Sequence, residues 1–167
     1  RTVNLPDGST LYVNANTQLR VDFTAHQRIV HLDKGQLYIE VAADKERPLF
    51  VQAGEATVRV VGTGFDVRRS QQQLVVSVAH GQVAFEPDTK SPVTLLGARQ
   101  RASYSYTKGT LQQQTLTAEE VADWRSGHLS FRNRELVSLI DELSLYRPQA
   151  PLQVSNAVAH LTVSGNL

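Results

Sequence analysis

Apolar and polar residues alternate over most of the first hundred positions. Val3 and Leu5 lead into Pro6-Asp7-Gly8-Ser9, and Leu11 and Val13 follow. Proline presets φ for a turn and glycine tolerates positive φ, so this stretch predicts a hairpin. Leu19, Val21 and Phe23 form a third alternating run. Val30 and Leu32, then Asp33-Lys34-Gly35, then Leu37, Ile39 and Val41 predict a second hairpin. Phe50-Val51 follow Pro48. Val58 and Val60 lead into Gly62-Thr63-Gly64, and Phe65 and Val67 leave it. Leu74, Val76 and Val78 precede Ala79-His80-Gly81, with Val83 and Phe85 beyond. Val93 and Leu95 precede Gly97, and Tyr104 and Tyr106 close the region. Short runs of period two, broken by turn signals, predict an antiparallel all-β unit. Residues 34–40 (KGQLYIE) and 80–86 (HGQVAFE) resemble each other. That likeness fits a stacked-hairpin or solenoid-like arrangement; a sandwich satisfies the same pattern.

The pattern changes after Gln114. Thr117-Ala118-Glu119-Glu120 matches a capping box and predicts a short helix reaching Trp124-Arg125, ended by Ser126-Gly127. Leu129 and Phe131 predict a strand, and Asn133 a cap for the next helix. Leu136, Leu139, Ile140 and Leu143 recur at i, i+3, i+4, i+7, one stripe of a helix over 134–146. Arg147-Pro148 stops it, since proline disfavours helical geometry in the residue before it. Leu152 with Val154, and Leu161 with Val163, predict two more strands. The expected fold class is therefore mainly β. An antiparallel all-β domain spans 1–116, and a linker helix with a small β-α-β-β unit spans 117–167.

Composition narrows the function. The chain has 167 residues, 41% of them hydrophobic, enough to bury a core. Seventeen basic residues face sixteen acidic ones, for a net charge of +1. That balance gives no electrostatic footprint for nucleic acid or an anionic membrane. With no cysteine, disulfides, thiolate nucleophiles and thiolate metal sites are excluded. With no methionine and no run of about 18 apolar residues, the chain is expected to be a piece of a longer product whose anchor lies elsewhere.

Candidate chemistry is sparse. Gly62-Thr63-Gly64 has neither the three spaced glycines of a dinucleotide loop nor the Gly-Lys-Ser/Thr of a phosphate loop. A strand resumes at Phe65, so Gly62, Thr63, Gly64 and Phe65 are expected to form a structural bulge or corner where the glycines take φ/ψ forbidden to a Cβ. His26, His31, His80, His128 and His160 show no metal-ligand spacing. No nucleophile elbow appears. No catalytic residue, metal or cofactor is expected. The apolar stripe of helix 134–146 is widened by Val137 and Tyr146. A small β-α-β unit with a broad apolar surface and open sheet edges suits a protein partner. Its strand edges and exposed helix face predict contacts through Arg134, Ser138, Asp141, Glu142, Leu152 and Val154.

Several stretches in order resemble the periplasmic part of FecR-type sensors, the transmembrane anti-sigma regulators of siderophore and iron uptake. They are LPDGSTLYVNANT at 5–17, RIVHLDKGQLYIEV at 28–41, RPLFV at 47–51, VVGTGFDV at 60–67, VSVAHGQVAF at 76–85 and LLGARQ at 95–100. WRSGHLSF at 124–131 and a GNL ending look like the family's C-terminal continuation. The resemblance implies that Gly62-Thr63-Gly64-Phe65 is the family's Gly-Thr-x-Phe turn. It implies a cytoplasmic anti-sigma segment and one membrane helix outside this chain, and a periplasmic location for it. Residues 128–167 look like the start of a unit similar to the secretin/TonB short N-terminal fold. The implied partner is the N-terminal signalling domain of an outer-membrane TonB-dependent siderophore transducer. The implied outcome is altered activity of an extracytoplasmic-function sigma factor, reached only indirectly. An all-β carbohydrate- or surface-binding module is the alternative, and it would need an exposed aromatic platform.

Overall fold

A computed structural model describes residues 1–147, 149 and 153–167. Twelve strands form one large sheet: β1 (Thr2–Asn4), β2 (Thr10–Val13), β3 (Gln18–Phe23), β4 (Arg28–Glu40), β5 (Leu49–Ala53), β6 (Ala56–Val60), β7 (Gly64–Arg69), β8 (Gln73–His80), β9 (Val83–Glu86), β10 (Thr94–Leu96), β11 (Gln100–Ser105) and β12 (Thr110–Thr115). The sheet curls on itself at β4. On one side of β4 the order runs β5-β6-β9-β10, and on the other β7-β8-β11-β12, with β1-β2 and β3 also paired to or through β4. The mainly β class expected from the alternation is the class observed. Every pair is antiparallel except β4 with β5.

β4 explains the curl. The sequence predicts a hairpin at Asp33-Lys34-Gly35, but the strand continues unbroken from Arg28 to Glu40. Gln18 opposes Lys34 and Leu19 opposes Leu32, so Asp33 is one extra residue in the ladder. An extra residue shifts the inward phase of a strand by one. Val30 and Leu32 are inward before the shift, and Leu37 and Ile39 after it, all at most 1% exposed. Gly35 holds the kink at φ +100°, with Thr17 packed where a Cβ would stand. The first half of β4 pairs with β3 and β5, the second with β2 and β7. Turn-forming residues here kink a strand, because each half finds partners other than its own continuation.

The second Gly-Gln segment marks the same kind of corner. β8 pairs with β7 and β11, whereas β9 pairs with β6 and β10. Gly81, at φ +87°, takes the chain from one half of the sheet to the other. The likeness of 34–40 to 80–86 is thus two crossings. Inward residues of both halves, among them Val51, Val58, Phe65, Val76 and Phe85, share one hydrophobic core.

Arg28 is wholly buried beside that core. It donates to Asp7 Oδ2 at 2.8 Å and to the carbonyls of Ala42 (2.8 Å) and Arg47 (2.6 Å), tying three loops together. β12 is not legible in the sequence pattern. Its only apolar residue is Leu111, and it forms by pairing along β11 from Thr110 to Thr115.

The helix predicted over 117–125 is two 3₁₀ turns, Ala118–Glu120 and Asp123–Ser126. Glu120 does reach back to Thr117, accepting from its hydroxyl at 3.0 Å. Ala122 then adopts φ +53°, which lets Val121 and Ala122 bury against Tyr38 and Leu116 and ends the turn. Beyond Gly127 come β13 (Ser130–Glu135), α1 (Leu136–Ser144) and β14 (Thr162–Asn166), with β13 and β14 antiparallel. Asn133 does not cap the helix: it sits at φ +49° where the β13 register shifts, and Glu135 precedes α1 as its N-cap. Leu152 lies outside the described residues. Val154 is in no strand, so among the described residues the unit is β-α-β.

Candidate protein-docking site

The outer face of β4, β7, β8 and β11 presents polar residues, as strand alternation requires. Yet Gln36, Asp66, Arg68 and Ser77 are buried. What buries them is the segment 117–147. Trp124 donates from Nε1 to Asp66 Oδ2 at 2.6 Å, and Gln36 donates to Asp66 Oδ1 at 2.9 Å. Three donors converge on Asp141 Oδ2 of α1: Arg68 at 2.8 Å, Ser70 at 2.8 Å and Gln73 at 3.3 Å. Gln73 also reaches Ser138 Oγ at 3.2 Å. Arg134 of β13 donates to Glu142 Oε1 at 2.6 Å and to Ser138 Oγ at 3.2 Å. Arg101 of β11 donates to Ser77 Oγ at 2.8 Å. At the far end of α1, Asn14 donates to the Tyr146 hydroxyl at 2.7 Å, and Asn16 to the Leu145 carbonyl at 3.0 Å.

The result is a seam of three guanidiniums and three carboxylates. Burial raises the carboxyl of Asp66 to about 6, against the opposing pull of its hydrogen bonds from Gln36 and Trp124. Burial also acts on Glu142, but the charges of Arg68, Arg134 and Arg101 outweigh it and hold that carboxyl down at about 2. Arg101 is shifted downward by desolvation and by neighbouring Arg134. Paired and desolvated charges of this kind contribute little net stability but demand one geometry. They therefore set where the β13-α1-β14 unit sits. Beside them Arg125 stacks 3.8 Å from the centre of the Tyr38 ring, itself edge-on to Tyr12.

This corrects the expected surface. Arg134 and Glu142 are buried, and Ser138 and Asp141 turn toward the sheet. They cannot form an exposed helix face, because the amphipathic pattern shows where apolar residues lie and not which polar residues a neighbouring sheet will satisfy. Val154 is half-buried. The exposed features of the unit are different. Each strand of the β13-β14 pair has one unpaired edge among the described residues. Five of the nine large apolar side chains most exposed in the described chain fall here: Val137, Tyr146, Val158, Leu161 and Leu167. These exposed apolar side chains are the unit's candidates for a contact surface.

At Gly62-Thr63-Gly64-Phe65 the chain bends into β7, and close packing requires the glycines. Neither glycine has positive φ. A Cβ on Gly62 would stand 2.9 Å from that of Ala43, and one on Gly64 would collide with the Tyr38 hydroxyl and the His80 ring. Gly64 opposes His80 and Phe65 opposes Val78, so a bulge lies between them. Thr63 is buried and donates to the Gln82 carbonyl at 3.0 Å.

No cluster of three or more potential metal-ligating side chains occurs among the described residues. No described helix is long and apolar enough to cross a membrane.

The architecture is a curled β scaffold carrying a polar-seated β-α-β unit, and known proteins share it. The model of the FecR protein family matches residues 1–84, and the chain belongs to that family. The 1.65 Å crystal structure of a candidate anti-sigma factor from Parabacteroides distasonis superposes with a TM-score of 0.87 at 28% identity, covering 100% of this chain and 79% of that one. A 2.50 Å crystal structure of a protein so named, from the same organism, gives 0.85 at 28% identity, covering 99% and 78%. No curated protein matches the chain.

Proposed function

We propose that this chain is the periplasmic sensory part of an inner-membrane anti-sigma regulator and binds the N-terminal signalling domain of a TonB-dependent siderophore transducer. Residues 1–116 are the scaffold. Residues 117–167, with a β-α-β unit similar to the secretin/TonB short N-terminal fold, carry the contact surface. The signal reaches an extracytoplasmic-function sigma factor indirectly, through segments outside this chain. The observation that carries this reading is the pair of free edges on β13 and β14, next to exposed Val137, Leu161 and Leu167. A sheet edge accepts another chain's strand by backbone pairing, while flanking apolar side chains give selectivity. FecR membership and the likeness to the Parabacteroides structures support the regulatory half. Catalysis has no support in the site, whose titratable groups are engaged in pairing the unit to the sheet.

Calorimetric titration tests this reading. The signalling domain of a transducer encoded beside the same gene is expected to bind the intact chain, and to lose binding when residues 128–167 are removed. Undiminished binding to the shortened chain would move the contact to the scaffold. Specific glycan binding without transducer binding would favour the carbohydrate-binding alternative. An aromatic platform for sugars is weakly provided here, since Trp124 is half-buried with its indole nitrogen committed to Asp66.

A further inference from the structure

Between the outer sheet face and the β13-α1-β14 unit lies a cleft of about 490 Å³. That volume is in the range of ligand sites. Its floor is set by β8, β11 and β12, and its roof by β13, α1 and residues 156–162. Four cations line it, Arg68, Arg101, Lys108 and Arg134, against two carboxylates, Glu135 and Asp141. Asp141 pairs with Arg68 at 2.8 Å, Arg134 with Glu142 at 2.6 Å, and Glu135 accepts from His160 Nδ1 at 3.0 Å. Arg101 and Lys108 make no direct ion pair, although Arg101 lies in the field of Glu142 and Asp66. Among the described residues neither has a carboxylate within ion-pair distance. Arg101 is desolvated and, among the described residues, donates to the Ser77 hydroxyl and to the Glu120 carbonyl.

The uncharged lining is equally specific. Thr110, Gln112 and Gln114 of β12 face the cleft at every second position. Their spacing repeats at about 6.8 Å, the side-chain repeat of an extended chain. Gln72 and Asn133 add further primary amides, which both donate and accept as a peptide group does, while the Gln73 amide is committed to Ser138 and Asp141. No aromatic side chain is among the lining residues, so a sugar would find no stacking face.

We propose that this cleft takes an extended acidic segment of a protein partner, its carboxylates held by Arg101 and Lys108 and its backbone by the glutamine side chains of β12. The guanidinium of Arg101 offers a planar fork that matches a carboxylate. Lys108 sits on the exposed turn between β11 and β12, where it meets the segment at the cleft mouth. The inference deepens the reading of the chain as a docking domain, and rests on it only for the identity of the partner.

The test uses the full chain and a blocked hexapeptide of alternating serine and glutamate, followed by NMR. Shift changes are expected at Arg101, Gln112 and Gln114. The same peptide with glutamine for glutamate is expected to bind at least tenfold more weakly. Arg101→Gln is expected to weaken the acidic peptide by tenfold or more. Lys108→Glu, at an exposed turn position, is expected to do the same. Equal affinity for both peptides, shift changes confined to residues outside the cleft, or indifference to Lys108→Glu would overturn the proposal. So would citrate binding as tightly as the peptide, which would make the site one for small anions. If the peptide fails while the transducer signalling domain still binds, the cleft assignment falls and the docking function stands.

Discussion

At the scale of single residues, the buried seam makes stability depend on pH in two opposed ways. Asp66 is raised to about 6 in the fold, so the folded chain takes up a proton there before the unfolded chain does. Stability from this group therefore rises as pH falls from 7 toward 5. Each tenfold gain in proton affinity is worth about 1.4 kcal/mol, so the full shift is worth on the order of 3 kcal/mol, of which about 1.4 kcal/mol accrues between pH 7 and 5. Glu142 is held at about 2, and Asp7 is also lowered, burial being outweighed by its bonds from Arg28 and Ser9. Their stabilisation is present above the ordinary carboxylate range and is lost as pH falls below about 4. Urea midpoints are expected to peak near pH 5. In Asp66→Asn the rise between pH 7 and 5 disappears while the acid-side loss remains. A midpoint that falls steadily from pH 7 to 4 in the parent would contradict this.

The corner glycines give a second residue-scale expectation. Gly62→Ala should cost about 2–3 kcal/mol, because the atoms it meets are the Cβ and backbone of Ala43, which cannot swing away. Gly64→Ala should cost less, because the exposed ends of His80 and Glu40 can move aside and leave only the Tyr38 hydroxyl to shift. Denaturant titration of the two variants orders them. Much of this is readable from the letters: a strand that resumes at Phe65 argues for a corner and against a phosphate loop. The cause is not readable. Pattern alone suggests positive φ, whereas the structure shows crowding by Tyr38, His80 and Ala43, all distant in sequence.

At the scale of elements, period-two alternation locates the strands and misses how they connect. Asp33-Lys34-Gly35 has the chemistry of a turn, and a bulge uses the same residues. Local sequence cannot distinguish them, because the choice depends on whether β3, β5, β2 and β7 are available as partners. β12 escapes notice for the opposite reason: Gln112, Gln113 and Gln114 carry no alternation, and only the β11 edge makes them a strand. The helix stripe is legible, but the role of its polar side is not. Asp141 is the clearest case, since Arg68, Ser70 and Gln73 reach it from far along the chain. Asp141→Asn removes the direct ion-pair partner of Arg68, a loss of about 3–5 kcal/mol if the seam stayed shut. The unit is expected to lift instead. Hydrogen exchange should accelerate over Leu136–Ser144 and stay slow in β4 and β7. Acceleration throughout the sheet would mean that Asp141 supports the whole fold.

At the scale of the molecule, one hydrophobic core fixes the scaffold and a charged seam fixes the unit placed on it. The two kinds of contact divide the work. The core excludes alternatives by shape, and the seam by charge and hydrogen-bond direction. The surface left for a partner is then the outward side of the unit and the cleft beneath it. Buried Glu142 orients that surface without forming it, while Arg134 orients it and also lines the cleft.

The most direct measurement is hydrogen exchange of the intact chain, free and saturated with the transducer signalling domain. Slowed exchange over Ser130–Glu135 and Thr162–Asn166, with little change in β3 and β10, is the expected footprint. Protection confined to β3 and β10, with β13 and β14 unaltered, would contradict the account.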